Sequence, residues 1–180
     1  MHILNKSTLL VIMVVVLITG QTQPSFAQKI DGDSAIENAI LVHINQYRQQ
    51  KGLSKLKMNS VMVKEARQHS LDMAQHRIPF GHKYFNDRIK RIYAQTEHPQ
   101  AGAENVAYNY KDAKDVVNNW LRSPGHKRNI DGQYNETGIG VVRDQKGKMY
   151  FTQMFLRTGT NSPYIKRTII PGFLKLSYSR

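Results

Sequence analysis

The sequence predicts an α+β domain, a three-layer α/β/α sandwich with a small antiparallel sheet between helices. Three observations predict it. Four segments between residues 36 and 121 carry apolar residues at helical spacing. Two strand-like segments follow, joined by Asp144-Gln145-Lys146-Gly147, a hairpin loop of ordinary length. In the second strand one face carries Met149, Phe151 and Phe155 and the other Tyr150, Met154 and Leu156, so the strand must be covered on both sides.

The chain opens with Lys6, an unbroken apolar run from Leu9 to Ile18, and then Ser25-Phe26-Ala27, small residues where a signal peptidase reads. The run is shorter than the about 20 residues a membrane span needs. Residues 1–27 therefore read as a secretory signal peptide cleaved after Ala27, giving a secreted or periplasmic product; an uncleaved N-terminal anchor is the alternative. Residues 28–35 read as a polar lead-in, 36–157 as the domain and 158–180 as a basic C-terminal extension.

Within the domain, Ile36, Ala39, Ile40, Ile44 and Tyr47 make the first helix, with Ser34 able to cap its start and Gly52 its end. Asn59 or Ser60 caps a second helix whose inner face is Met62, Ala66, His69 and Met73. A third starts at Asn86 and buries Ile89, Ile92 and Tyr93; residues 95–102 show no period and read as loop. The fourth carries the stripe Ala113, Val116, Val117, Trp120 and Leu121, with Trp120 as core, and Ser123-Pro124-Gly125 stops it. The two strands span 137–143 and 148–156.

Composition bounds the chemistry. The 180 residues fit one domain, and 40% hydrophobic against 22% charged content supplies a core. Cysteine is absent, which excludes disulfides, thiolate metal sites, a cysteine nucleophile and a lipid-anchored cysteine. The net charge of +13 becomes +12 once the signal, with its one lysine and no acid, is removed. Export argues against nucleic acid as partner, and an anionic envelope polymer or lipid surface is expected instead, with the protein a monomer.

Of six histidines beyond the signal, His43 and His69 lie on or beside helical faces, and His76 and His98 near helix ends. His82 and His126 each follow a glycine outside the helices read above, and Glu104 lies between them on a loop leading into Val106-Ala107. Two imidazoles and a carboxylate can hold a divalent ion with a position open for water. No short ligand signature is present, so satisfied polar residues remain the plainer reading. A serine nucleophile at Ser70 or Ser123 lacks the G-x-S-x-G elbow.

Six stretches in order carry a family resemblance: Ile44-Asn45-Gln46-Tyr47-Arg48, Phe80-Gly81-His82, residues 102–107, Trp120 through His126, residues 135–141 and Tyr150 through Phe155. Together they resemble the CAP superfamily (cysteine-rich secretory proteins, antigen 5, pathogenesis-related 1) in its bacterial, cysteine-free form. The resemblance implies the CAP version of the sandwich and a central cleft lined by two histidines and two acidic residues that binds a divalent ion in some members. His82, Glu104 and His126 match three of those places. The fourth is Ser123 here, with Glu136 the nearby acidic residue. A hydroxyl is a poorer ligand than a carboxylate, so a weakly held Zn²⁺ or other divalent ion is expected at His82, Glu104 and His126. The implied function is a secreted binding module whose cleft, with His82, Glu104, Ser123 and His126, takes a small ligand, lipid or envelope component. The alternative is a metal-assisted, peptidase-like hydrolase with Glu104 as general base.

Overall fold

A computed structural model of the protein describes residues 26–159, with side chains from residue 33 on. The expected cleavage site and the residues beyond Gly159 lie outside those described side chains. The described elements are α1 (Phe26–Gln50), β1 (Lys57–Met58), α2 (Ser60–Ala74), α3 (Phe85–Tyr93), β2 (Pro99–Tyr108), α4 (Ala113–Arg122), α5 (Pro124–Ile130), β3 (Glu136–Arg143) and β4 (Met149–Thr158).

The sheet runs β1-β3-β4-β2, so β2 is an edge. Both long pairings, β3 with β4 and β2 with β4, are antiparallel. The sheet is nevertheless mixed rather than antiparallel throughout, because β1 joins β3 in parallel over two residues. Helices cover both faces, as the two apolar faces of β4 require. Phe151 and Phe155 pack with Ile40, Ile44, Val116 and Trp120 under α1 and α4. Met154 and Leu156 pack with Met62, Ala66, Ile89 and Ile92 under α2 and α3. Trp120 is 1% exposed, as its place on the α4 stripe predicts.

Besides the unexpected two-residue β1, three elements differ from the sequence reading. The first helix starts at Phe26 rather than at Ser34, so the expected lead-in is helical. Ser34 lies inside the helix, where its hydroxyl accepts from Arg67 of α2. Residues 99–108 form β2 where a loop was expected, because Gly, Ala, Glu and Asn carry little strand propensity and the pairing with β4 overrides it. The Ser123-Pro124-Gly125 step ends α4 but also opens α5, with Pro124 in its first turn; a proline there loses no helical hydrogen bond. His126 therefore sits on a helix and not in a loop.

Two features fix the layers. Gly138 and Gly140 of β3 lie against the α2 backbone: a Cβ would fall 2.2 Å from the Met62 carbonyl carbon or from the Arg67 nitrogen. Arg48 of α1 is 1% exposed, and its guanidinium donates to the carbonyls of Ser54, Ile130, Gly132 and Tyr134. Burial lowers its pKa, and nearby Asp131 works in the opposite direction.

Candidate functional site

Side chains alternate across a strand, so successive residues of β2 serve different faces. Glu104 and Val106 point toward α2 and α3, where Val106 packs with Met73. Asn105 and Ala107 point the other way, toward α4 and α5. Beyond β2 there is no further strand among the described residues, and along this edge three elements meet: the loop before α3, α3 itself and α5.

Glu104 is the centre of the arrangement. Its side chain is 2% exposed, and a buried carboxylate is costly unless it is paired and hydrogen-bonded. Arg88 of α3 grips it as a fork, donating from Nε to Oε2 at 2.9 Å and from Nη2 to Oε1 at 2.8 Å. Nη1 of the same arginine donates to the Lys83 carbonyl at 2.7 Å, which ties the loop before α3 into the cluster. His82 in that loop lies with Nδ1 2.9 Å from Oε1. A carboxylate only accepts, so Nδ1 carries the hydrogen of this contact. His82 keeps 29% of its side chain exposed and is the solvent-facing member of the group.

Behind it, His69 of α2 is 1% exposed, donates from Nε2 to the Gly81 carbonyl at 2.8 Å, and stands 3.9 Å from Glu104 Oε1. Burial holds its pKa below the usual histidine value, outweighing the pull of Glu104; Arg88 and His82 lower it further. His69 is thus a neutral ring that holds the Gly81 carbonyl. Its Nδ1 is buried without a hydrogen-bond partner among the described residues.

His126 approaches from α5. Its ring lies 6.4 Å from that of Trp120, and its pKa is lowered by burial and then by His82, which puts the two expected histidines in one electrostatic neighbourhood. A pair of asparagines docks α5 on β2: Asn129 donates to the Glu104 carbonyl and to Asn105 Oδ1, and Asn105 donates to the His126 carbonyl. The other expected residues have different positions. Ser123 is half-buried at the start of α5, with no side-chain capping bond. Glu136 opens β3, separated from β2 by β4, and accepts from Asn59 Nδ2 at 2.6 Å. Ser70 is fully buried, with Oγ 2.9 Å from the Gly140 carbonyl and 2.8 Å from Thr152 Oγ1, a place for a packing hydroxyl and not for a nucleophile.

A divalent ion does not fit this arrangement. Both Glu104 oxygens are already engaged by a guanidinium, whose positive charge opposes a second cation at the same place. No three His, Asp or Glu side chains among the described residues cluster so as to hold a metal. Arg88 and His69 are the residues that sequence reading missed as site members. The signal for Arg88 was available, since it shares one face of α3 with Phe85, Ile89 and Ile92, all buried.

Comparisons with known proteins agree with the fold. The model of the cysteine-rich secretory protein family, CAP, matches residues 41–155. The uncharacterized membrane protein YlbC of Bacillus subtilis is 36% identical over 125 residues, which is 67% of this chain and 34% of YlbC. The uncharacterized protein YkwD of the same organism is 33% identical over 129 residues, 68% of this chain and 48% of YkwD. The chain thus spans about a third to a half of the length of these relatives. Among solved structures, an extracellular SCP-domain protein of Bacillus anthracis superposes with a TM-score of 0.66 at 23% identity, covering 76% of this chain and 45% of that one. An outer surface protein of Borrelia burgdorferi gives 0.60 at 20% identity, covering 68% of this chain and 92% of that one. With the six sequence stretches, the sandwich around β4 and the family match in accord, the chain belongs to the CAP family.

Proposed function

We propose that the chain is an exported CAP-domain binding module whose cleft along the β2 edge holds a small polar ligand or envelope fragment. One observation carries this reading: Glu104, the only carboxylate of the three expected ligands, is buried and held by Arg88 and His82. A general base must reach a water with a free lone pair and take its proton. A carboxylate neutralised by a guanidinium fork instead makes a rigid polar floor. His82 and His126 then provide the contacts at the rim, His126 with its pKa lowered by burial and so acting as a neutral donor and acceptor. Export rests on the N-terminal segment, and the extracellular Bacillus anthracis protein of like fold supports it.

Native mass spectrometry of the full chain, purified from its own host, tests the proposal. A co-purifying small molecule should be lost from His82→Ala and His126→Ala while the circular dichroism spectra stay unchanged. Zinc titration of the same protein should show no uptake at micromolar metal. Metal-stimulated peptide hydrolysis that disappears in Glu104→Gln would replace the binding reading with the hydrolase.

A further inference from the structure

A concavity lies away from the Glu104 cluster, between the N-terminal half of α1, α2 and the β3–β4 hairpin, and none of His69, His82, Arg88 or Glu104 lines it. It is a groove of about 1410 Å³. Pockets for single drug-sized molecules run about 300–1,000 Å³, so a longer ligand suits this space better.

Its charge is one-sided. Lys64, Arg67, Arg77, Arg143, Lys146 and Lys148 line it against three carboxylates, Asp33, Glu37 and Asp144. The carboxylates are already engaged. Glu37 pairs with Arg67 at 2.5 Å and Asp33 with Arg143 at 3.0 Å. Asp144 accepts from the backbone N–H groups of Lys146 and Lys148, which fixes the hairpin loop that presents both lysines. Lys64, Lys146 and Lys148 are exposed and enter no ion pair among the described residues. Three ammonium groups outside any ion pair among the described residues thus face one groove, against Asp144 as the one lining carboxylate not paired with a cation.

An aromatic platform stands beside them. Tyr108 is 37% exposed and is backed by buried Tyr150, their rings 4.5 Å apart. Lys148 Nζ lies 5.7 Å from the Tyr108 ring centroid. Phe80, 55% exposed, extends the aromatic surface, its ring 6.2 Å from that of Tyr108. A flat apolar ring with an ammonium group beside it matches a sugar that carries a negative charge: the C–H face packs on the ring and the anion meets the lysine. The concave shape admits an extended strand and not the plane of a bilayer.

We infer that this groove binds an anionic polysaccharide strand, with Tyr108 as stacking platform and Lys64, Lys146 and Lys148 as anion contacts. The inference is independent of the reading of the β2-edge cleft.

Calorimetric titration of the full chain with a galacturonic acid octamer, a neutral maltose-type octamer and a polyglutamate of equal charge tests it. The galacturonate should bind, weaken with added salt, and exceed both other probes by about tenfold or more. The triple variant Lys64→Glu/Lys146→Glu/Lys148→Glu should lose that binding by a similar factor, and Tyr108→Ser should weaken it with an unchanged thermal midpoint. His82→Ala should bind as wild type, so failure of the cleft reading leaves this result untouched. Equal affinity for polyglutamate, or full affinity in both groove variants, would overturn the inference. So would binding to phosphatidylglycerol vesicles that the octamer does not displace.

Discussion

Arg88 and Glu104 bear on each other's stability more than any other pair in the site, and removing either charge tests this. In Arg88→Met the side chain keeps most of its apolar volume but loses the two donors to Glu104 and the one to the Lys83 carbonyl. The carboxylate, 2% exposed, is then left with His82 at 2.9 Å. Breaking a buried pair from one side typically costs about 3–5 kcal/mol. For a domain of this size that corresponds to a fall in thermal midpoint of about 10–20 °C. Removing both charges, in Arg88→Met/Glu104→Gln, should recover much of the loss, since a neutral amide is far cheaper to bury than a lone carboxylate. Urea unfolding of the wild type, both single variants and the double variant gives the coupling directly, and it should reach about 2 kcal/mol or more. Single variants that each lose under about 1 kcal/mol, with additive effects in the double, would refute the reasoning that Arg88 stabilises the buried carboxylate.

Other consequences can be measured on the same protein. Gly140→Ala should cost about 3 kcal/mol, the upper end for overpacking, because its methyl group meets the α2 backbone rather than a movable side chain; an unchanged urea midpoint would sink this. Trp120→Ala should cost about 3–5 kcal/mol from a core position 1% exposed, and loss of ligand without loss of stability would make Trp120 a contact residue instead. His69 and His126 titrate below 6.5 in the folded state, so the unfolded chain takes up protons first as pH falls. Their contribution is fully present above about pH 6.5 and is lost as pH drops through that value toward their lower folded values. The urea midpoint should therefore decline between pH 7.5 and 5, less so in His69→Gln, and an equal decline in both proteins would exclude His69 as a source.

The layers of the fold were legible because β4 is apolar on both faces and the stripes of α2 and α4 are regular. β2 was not, because its two faces bear the polar residues Glu104 and Asn105, and the partners that satisfy them, Arg88 and Asn129, are distant in sequence. The site was half legible. His82 and His126 stand out by the glycine before each, Glu104 as the carboxylate between them, and all three by resemblance; the structure brings His82 and Glu104 into contact. Arg88 was passed over because an arginine on a helix is usually solvated, although it shares the apolar face of α3 with Phe85, Ile89 and Ile92. His69 reads as a core residue from its helical stripe, which is correct, but its closeness to Glu104 depends on how α2 meets β2.

Arg48 bears on the order in which the chain can fold. Three of the carbonyls it binds lie 82, 84 and 86 residues later in the sequence. A chain emerging N-terminus first, from a ribosome or through a translocation channel, exposes α1 long before residues 130–134 exist on the same side. Until then the guanidinium has only Ser54 to bind, and α1 lacks the β3 and β4 strands that bury its apolar stripe. Contacts so distant in sequence make closure late and slow. The same arginine that locks the finished domain without a disulfide thus leaves the emerging chain unlocked until residues 130–134 and the strands after them are present.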